Sequence, residues 1–394
     1  MDDNTDQDNS RTPIIPTIGG ALRTNVLALA HLHMKANWHP APVHSFTLPL
    51  WYRGTYDEQM TARTKSVIAD RSYLGRFYVT GEDTEALLER IFATDPRRMS
   101  IGNIGPAIAC NQDGTIFDIV AWAKLDSNRW VIITGPRTQT ALLIALQAAV
   151  DPDSDIVIRD RIEESVLLHV SGPTAARDLV SALGPTIPEA VPTGEAHEIL
   201  LGGYRALVAR YSDTGEDGYY LLTSPEVGEH IWQQMLSVGT EPIGLAASDA
   251  LRLEANRLEA PTETPAPSTP AHAGLNYLVD FVASNGIKRD FIGSNSLRIS
   301  DTSAGPERLL RALGLGDKGL AKKGDPLVNS STEQPIAACV AGIYSSQGQV
   351  SIGFAYIPTN QLTEQLEIVT DSGKSTVTII APEQLLQVLK TRAN

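Results

Sequence analysis

"RFYVTGEDTEALLERI" (residues 76–91) and "LLHVSGPTAARDLVSAL" (residues 167–183) are the two stretches on which the fold prediction rests. Each predicts a β-strand, then a Thr-Gly or Ser-Gly turn, and then an amphipathic helix. Gly81 and Gly172 give the turns their conformational freedom, and a polar residue on each turn can cap the helix that follows. The recurrence predicts two related α+β halves, as a weak internal repeat and not as a solenoid.

Further apolar stretches complete the two halves and predict a third region after them. "GTIFDIVAWAKL" (114–125) and "RWVIITG" (129–135) predict strands of the first half, and "YRALVARYS" (204–212) and "GYYLLTS" (218–224) predict strands of the second. From about residue 298, alternating apolar and polar residues predict a small antiparallel β-barrel that ends in a short helix. The expected fold class is therefore α+β, with three lobes.

These patterns also predict where the domains begin and end. Residues 1–44 are an acidic tail and N-terminal segment with a short helix over 20–35, residues 45–297 are the two α+β lobes, and residues 298–394 are the barrel. The Pro/Thr-rich stretch 259–272 cannot form regular structure, because proline removes backbone donors. It is expected to be either a linker or a functional loop.

Composition excludes several classes of partner. The formal net charge of −14 argues against nucleic acid, whose phosphates require a basic surface. No apolar run approaches the length of a membrane span. The two cysteines, Cys110 and Cys339, are too few for a disulfide scaffold, so a reducing cytoplasm is the expected compartment. A metal site is not favoured, because the nearby histidines lack cysteine or carboxylate companions at a ligand spacing; these are His31, His33, His39 and His44.

The turn in "RYSDTGEDGYYLL" (210–222) leaves two interpretations open. Gly215 and Gly218 are turn residues, and a solvated hairpin tip is the common role for Glu216 and Asp217 between them. Alternatively, the glycines let a ligand approach and one carboxylate binds it. Taken alone, these residues favour the hairpin tip.

Several segments, taken in order, resemble the glycine-cleavage T-protein superfamily of tetrahydrofolate-dependent one-carbon enzymes, which also includes folate-dependent demethylases. The resemblance runs from about residue 45 nearly to the C-terminus. It implies the three-lobed fold, with a folate pocket in the first two lobes. The segments that carry it include "NQDGTIFDIV" (111–120), "TGEDGYYLL" (214–222), "GLAASDALRLEAN" (244–256), "STPAHAGLNYLVDF" (268–281) and "GIYSSQGQVSIGFAYIP" (342–358).

The resemblance implies roles for individual residues. Asp118 takes the place of the catalytic aspartate, where it would face the reactive edge of the folate, although a satisfied buried carboxylate is the alternative. Glu216 would accept two N–H donors from the pterin edge, with Gly215 and Gly218 making room for the flat ring. Asp217 remains a solvated turn residue.

Three further residues complete the expected cofactor-binding set, and they are Tyr219, Tyr344 and Arg252. Tyr219 and Tyr344 are candidate walls for the ring, and ordinary core or surface tyrosines are an equally good interpretation. Arg252 and Glu254, two apart on one helix, project to different faces and could be scaffold ions.

Departures from the family pattern bear on the substrate. They are Pro106 near an expected tyrosine, "IITGPR" (132–137), Ser248 in place of an arginine, and "NRLEAPTETPAP" (256–267). Because they cluster on the expected substrate side, the favoured function is methyl transfer from a small S-, N- or O-methyl substrate to tetrahydrofolate. The alternatives are an aminomethyltransferase working with a lipoylated carrier protein, and a folate-binding protein without catalysis.

Overall fold

The computed structural model describes residues 27, 31, 34, 37–40, 47–201, 203–300, 305–316 and 319–392. The acidic tail and most of the helix expected over residues 20–35 lie outside these ranges. A two-stranded ribbon of β1 (Asn37–Pro40) and β2 (Thr47–Trp51) leads into α1 (Thr55–Thr64) and β3 (Val67–Asp70). No helix in the described ranges is long and apolar enough to cross a membrane.

The first lobe is a five-stranded antiparallel sheet in the order β5-β6-β7-β4-β8. The predicted strand–turn–helix is present as β4 followed by α2. The elements are β4 (Gly75–Thr80), α2 (Thr84–Ile91), β5 (Ile104–Cys110), β6 (Ile116–Asp126), β7 (Arg129–Thr134), α3 (Gln139–Ala148) and β8 (Val157–Asp160).

The second lobe repeats this order with one exchange. Its sheet runs β10-β11-β12-β9-β3-β13, in which β9 corresponds to β4 of the first lobe. The strand beside β9 is β3, which precedes the first lobe in the chain and takes the place that β8 has beside β4. Only the short β13 pairs in parallel. The elements are β9 (Val166–Ser171), α4 (Ala175–Leu183), α5 (Thr186–Ala190), β10 (Ala196–Leu201), β11 (Tyr204–Ala209), β12 (Gly218–Thr223), α6 (Pro225–Ser237), β13 (Glu241–Pro242) and α7 (Leu245–Glu254).

The turns between strand and helix depend on glycine for packing as well as conformation. Gly172 has φ +118°, and a Cβ there would lie 1.9 Å from the backbone oxygen of Lys65. The expected caps are absent: the N-cap positions are Asp83 and Thr174, and neither makes a side-chain capping hydrogen bond. The polar residue before each glycine therefore does not cap the helix.

The strands of both sheets are covered on two sides. On β12, Tyr220 and Leu222 join a core that the two lobes share, whereas Tyr219 and Leu221 pack in the second lobe's own core with α4 and α6. On β6, Val120 packs on the first lobe's helical side. Because successive side chains of a strand point to opposite faces of the sheet, every second residue faces the helices and the residues between them face the opposite lobe.

The barrel follows as predicted. Its six strands close in the order β14-β17-β16-β15-β18-β19, and α9 follows the last. A short helix, α8 (Ser294–Ser300), precedes it. The elements are β14 (Arg308–Leu315), β15 (Pro326–Asn329), β16 (Pro335–Ser345), β17 (Val350–Pro358), β18 (Leu366–Thr370), β19 (Gly373–Ile380) and α9 (Leu385–Arg392).

The Pro/Thr-rich segment 259–272 has no regular structure, as expected, but it is not a linker. Glu263, Thr264 and Ser268 are buried. Glu263 accepts hydrogen bonds from both terminal nitrogens of Arg252 on α7, at 2.9 and 3.0 Å. The segment is therefore packed onto the lobes.

Candidate functional site

A cavity of about 120 Å³ lies where the two lobes meet, and we call it the interlobe cavity. Ile119 on β6 and Ile133 on β7 form part of its apolar wall. Its aromatic lining is Tyr73, Tyr211, Tyr220 and Tyr277, and its charged lining is Arg71, Asp213, Arg252, Arg257 and Glu259. A concave site with aromatic walls and a few convergent polar groups is typical of small-molecule binding.

One side of the cavity is a closed polar network around Asp213. Arg71 donates to Oδ2 of Asp213, and the Tyr220 hydroxyl donates to the same oxygen at 2.9 Å. Nδ1 of His169 lies 3.5 Å from Oδ1. Burial alone would raise the pKa of Asp213, but the charges of Arg71 and His169 and the hydrogen bonds from Tyr220 and Arg71 together outweigh it and hold that pKa well below its usual range. Asp213 is therefore an ionised carboxylate whose Oδ2 accepts from both Arg71 and Tyr220.

Arg252 lines another side, and carboxylates already surround it. Besides the two bonds to Glu263, its Nε donates to Asp249 at 2.9 Å and its Nη1 donates to the backbone oxygen of Arg257 at 3.0 Å. Glu254, on the opposite face of α7, accepts from Arg63 at 2.6 Å. The prediction that Arg252 and Glu254 project to different faces is confirmed. Arg252 combines a scaffold role with a place on the cavity wall.

Glu259 is the acidic residue of the cavity that sequence reasoning did not single out. Its side chain is 22% exposed and lies 3.7 Å from Arg252, beyond hydrogen-bond distance. Burial is the main reason why the pKa of Glu259 is raised to about 7. The signal was present in the sequence, because Glu259 belongs to the segment 256–267 that departs from the family pattern.

Asp118 lies behind the cavity wall. It is fully buried and is not among the residues that line the cavity, whereas Ile119 and Val120, the next two residues of β6, both line it. Thr134 donates to its Oδ2 at 2.5 Å and Thr138 to its Oδ1 at 2.9 Å. Burial raises the pKa of Asp118 to about 7. Asp118 is thus a buried carboxylate whose two oxygens both accept hydrogen bonds, and its role toward a folate stays a prediction.

Glu216 and Gly215 lie outside the interlobe cavity, and their role in binding a pterin stays a prediction. Glu216 is ion-paired to Arg63 at 3.0 Å and to Lys390 on α9 at 3.4 Å, and it is not part of the cavity lining. Gly215 makes room for the Leu386 side chain, because a Cβ there would lie 2.5 Å from Cδ2 of Leu386. The turn is therefore packed against the C-terminal helix.

The remaining predicted residues do not line the cavity either. Tyr219 is fully buried in the second lobe's core, whereas its neighbour Tyr220 faces the cavity. Tyr344 lies on the barrel strand β16 with 39% of its surface exposed. Gly218 would bring a Cβ within 2.8 Å of Cβ of Ser171, so protein atoms also fill the space beside it. Among the predicted set, Arg252 alone lines the cavity as the described residues define it.

A larger cleft of about 510 Å³ opens at the other ends of the same strands. Four arginines line it, and two of them are paired: Arg129 with Glu198 at 3.0 Å, and Arg161 with Glu164 at 3.1 Å. The interlobe cavity is the better candidate, because the segments that resemble one family converge there.

Comparison with known proteins confirms the resemblance. The family model described as the GCVT N-terminal domain matches residues 29–283, well over half of the chain. The chain belongs to this glycine-cleavage T-protein family. A T-protein relative from Symbiobacterium thermophilum, named aminomethyltransferase, is 28% identical, with 84% of this chain and 88% of that protein covered. Another aminomethyltransferase, from Herpetosiphon aurantiacus, is 31% identical, with 71% and 76% covered.

The fold is that of a solved T-protein. The crystal structure of glycine cleavage system aminomethyltransferase T from Bartonella henselae superposes with a TM-score of 0.83. It shares 21% identity, with 93% of this chain and 99% of that chain covered. The three-lobed α+β prediction is confirmed.

Family membership also confirms the prediction of tetrahydrofolate as cofactor. The cavity fits such a ligand chemically, since tyrosines offer faces for a flat ring and Glu259 has no hydrogen-bond donor to its carboxylate among the described residues. At about 120 Å³ the cavity is smaller than the roughly 300 Å³ at the lower end of typical ligand sites. In this conformation a folate would be enclosed only in part. The described residues contain no cluster of His, Cys, Asp and Glu that could hold a metal ion.

Proposed function

We propose that this chain transfers a one-carbon unit to tetrahydrofolate at the interlobe cavity, with an aminomethyl group as the unit transferred. The main support is that relatives named aminomethyltransferase match more than 70% of the chain. A lipoylated carrier protein would then deliver the group. This choice differs from the methyl transfer that the sequence departures favoured, because the relatives favour the aminomethyl reaction.

The chain's own residues supply binding and orientation. Tyr211 and Tyr220 lie with ring centroids 6.1 Å apart and planes at 24°, which provides a preformed aromatic wall. The Arg71–Asp213 pair is already satisfied, so it can fix that wall without rearranging when a ligand binds. Tetrahydrofolate supplies the nitrogen that accepts the one-carbon unit. Holding the two reactants in one geometry would supply much of the acceleration.

A second candidate is transfer of a methyl group from a small S-, N- or O-methyl substrate. The observation that favours it is the position of the departures. Pro106, Gly135, Arg257 and Glu259 all line the interlobe cavity, so the residues that differ from the family pattern lie where a substrate would contact the protein. A different cavity surface supports a different one-carbon donor.

The products distinguish these candidates. The purified protein is incubated with tetrahydrofolate and either an aminomethylated lipoyl protein or a panel of methylated sulfonium, amine and methoxyaryl compounds, and the folates are read by mass spectrometry. Ammonia with 5,10-methylenetetrahydrofolate is expected. The product 5-methyltetrahydrofolate from a panel compound would replace the aminomethyl proposal with the second candidate. Folate binding without any product would leave a non-catalytic folate-binding protein.

A further inference from the structure

The larger cleft, at the other ends of the strands that form the interlobe cavity, is lined by four arginines, and we call it the arginine cleft. Its volume of about 510 Å³ lies within the roughly 300–1,000 Å³ that is typical of small-molecule sites. We propose that the arginine cleft binds a small organic anion with at least two phosphate or carboxylate groups, and that Arg159 and Arg205 hold those groups. This site is separate from the proposed one-carbon transfer.

The two lobes bring these two arginines to the cleft from opposite sides. Arg159 lies on β8, the edge strand of the first lobe, in register with Tyr78 on β4. Register partners project to the same face of a sheet, and Tyr78 packs against the core that the lobes share. On β11 of the second lobe, Arg205 precedes Leu207 by two residues, so both point toward that shared core. The arginines therefore stand where the apolar contact between the lobes ends.

The lining of the arginine cleft has an excess of positive charge. Two of its four arginines are paired with glutamates of the same lining, which leaves Arg159 and Arg205. Neither has a carboxylate within ion-pair distance in the described part of the chain, and both are exposed. The lining thus keeps two positive charges in a chain whose formal net charge is −14. Such a local excess attracts anions to one place, and guanidinium forks match the paired oxygens of phosphate and carboxylate groups.

The floor of the arginine cleft suits the carbon skeleton of such an anion. Leu207 and Leu222 line it and are buried. Tyr78 adds a half-buried ring whose hydroxyl makes no hydrogen bond with any described residue. Burial is the main reason why the pKa of Tyr78 is raised to about 12, so the hydroxyl stays a neutral donor. An organic anion would cover the apolar floor, accept from Tyr78 and reach both free arginines.

The test is calorimetry of the full chain with two probes, pyrophosphate and citrate, at low ionic strength. The wild type should bind at least one probe, and the tighter probe identifies phosphate or carboxylate as the preferred group. Arg159→Gln and Arg205→Gln should each weaken binding at least about fivefold, because each removes one charge-assisted contact. The matched control is Arg137→Gln, which removes the same charge from an exposed arginine outside the lining. It should change the affinity by less than about twofold, since solvent and salt screen a distant exposed charge.

Glu164→Gln provides a change of the opposite sign. The Glu164 side chain is 64% exposed and pairs with Arg161 at 3.1 Å. Removing its charge frees a third arginine of the lining, so the probe should bind about two- to fivefold more tightly. All these substitutions are at the surface, so the variants should melt at the wild-type temperature.

The outcomes separate a built site from a general effect of charge. Weaker binding in Arg159→Gln and Arg205→Gln together with tighter binding in Glu164→Gln supports the proposal. If the wild type binds neither probe, the proposal is overturned. It is also overturned if Arg137→Gln weakens binding as much as the two cleft variants do, or if the cleft variants bind like the wild type. None of these results bears on tetrahydrofolate, so the proposed function stands or fails separately.

Discussion

The hydroxyl of Thr134 donates a hydrogen bond to Asp118 across 2.5 Å, from a residue that lines the interlobe cavity to one that lies behind its wall. Thr138 and the backbone N–H of Ile119 both donate to the other carboxylate oxygen. The carboxylate thereby ties the end of β7 to the turn that begins α3. We therefore expect Asp118 to act as a positioning residue for the stretch around Gly135 that forms the cavity wall.

Replacing Asp118 by asparagine should change how stability depends on pH. Burial raises the carboxyl pKa to about 7 in the folded protein, against a usual value of 3.8. The folded state therefore keeps a proton that the unfolded state has released, and the free energy of unfolding falls as the pH rises from about 4 to about 7. Asparagine cannot ionise, so the variant should gain on the order of 2–4 kcal/mol relative to wild type between pH 4.5 and pH 8. Urea unfolding at both pH values measures this.

The same variant separates a structural from a catalytic Asp118. With a positioning role, turnover should fall modestly and in step with any change in folate affinity. A fall of roughly 10² with an unaltered pH profile of stability would contradict this and return Asp118 to the reaction itself.

Local patterns predicted the elements but not which way their residues face. The strand–turn–helix repeats, the barrel and the terminal helix follow from periodicity and turn residues. Tyr219 and Tyr220 both lie in an apolar strand that is covered on its two sides. Such a strand has no polar face, so its sequence does not show which residues point to which side. The same ambiguity applies to Asp118 and Ile119 on β6, of which only Ile119 lines the cavity. Arg252 lines the cavity and also binds Glu263, so it has the scaffold role that the sequence allowed.

The ion pairs of Glu216 depend on long-range packing. Its partner Lys390 lies on α9, at the far end of the chain, and Arg63 lies on α1. Nothing within "RYSDTGEDGYYLL" indicates that the C-terminal helix will cover this turn. A resemblance to a family places a motif in the fold, whereas the contacts of each side chain depend on residues outside the motif.

Removing Arg63 should destabilise the protein severely. Its side chain is 5% exposed and pairs with both Glu216 and Glu254, and the Glu254 side chain is 1% exposed. Arg63→Ala leaves a buried carboxylate without its partner, which typically costs about 3–5 kcal/mol. Chemical denaturation measures the loss.

Arg53 provides the matched control for this change. It also lies near α1 and pairs with a glutamate, Glu241, but its side chain is 43% exposed. Because solvent screens such a pair, Arg53→Ala should cost less than about 1 kcal/mol. If both variants lost the same free energy of unfolding, burial of the ion pairs of Arg63 would not explain their contribution to stability. Adding Glu254→Gln to Arg63→Ala should recover part of the stability, since it removes the unpaired charge.

Gly215 should resist substitution because of the C-terminal helix and not because of a ligand. Gly215→Ala places a Cβ 2.5 Å from Cδ2 of Leu386 and 3.3 Å from Cβ of Ala255, at φ +78°. The backbone conformation should cost about 1 kcal/mol, and the overpacking about 1–3 kcal/mol more. Gly194→Ala is the control, since Gly194 has φ +80° with nothing within 4 Å of the added Cβ, so that only the cost of the backbone conformation applies.

Urea unfolding should therefore give Gly215→Ala a lower free energy of unfolding than Gly194→Ala. Adding Leu386→Ala to Gly215→Ala should reduce that difference. A loss of folate affinity in Gly215→Ala that Leu386→Ala does not repair would instead place the ligand beside this turn.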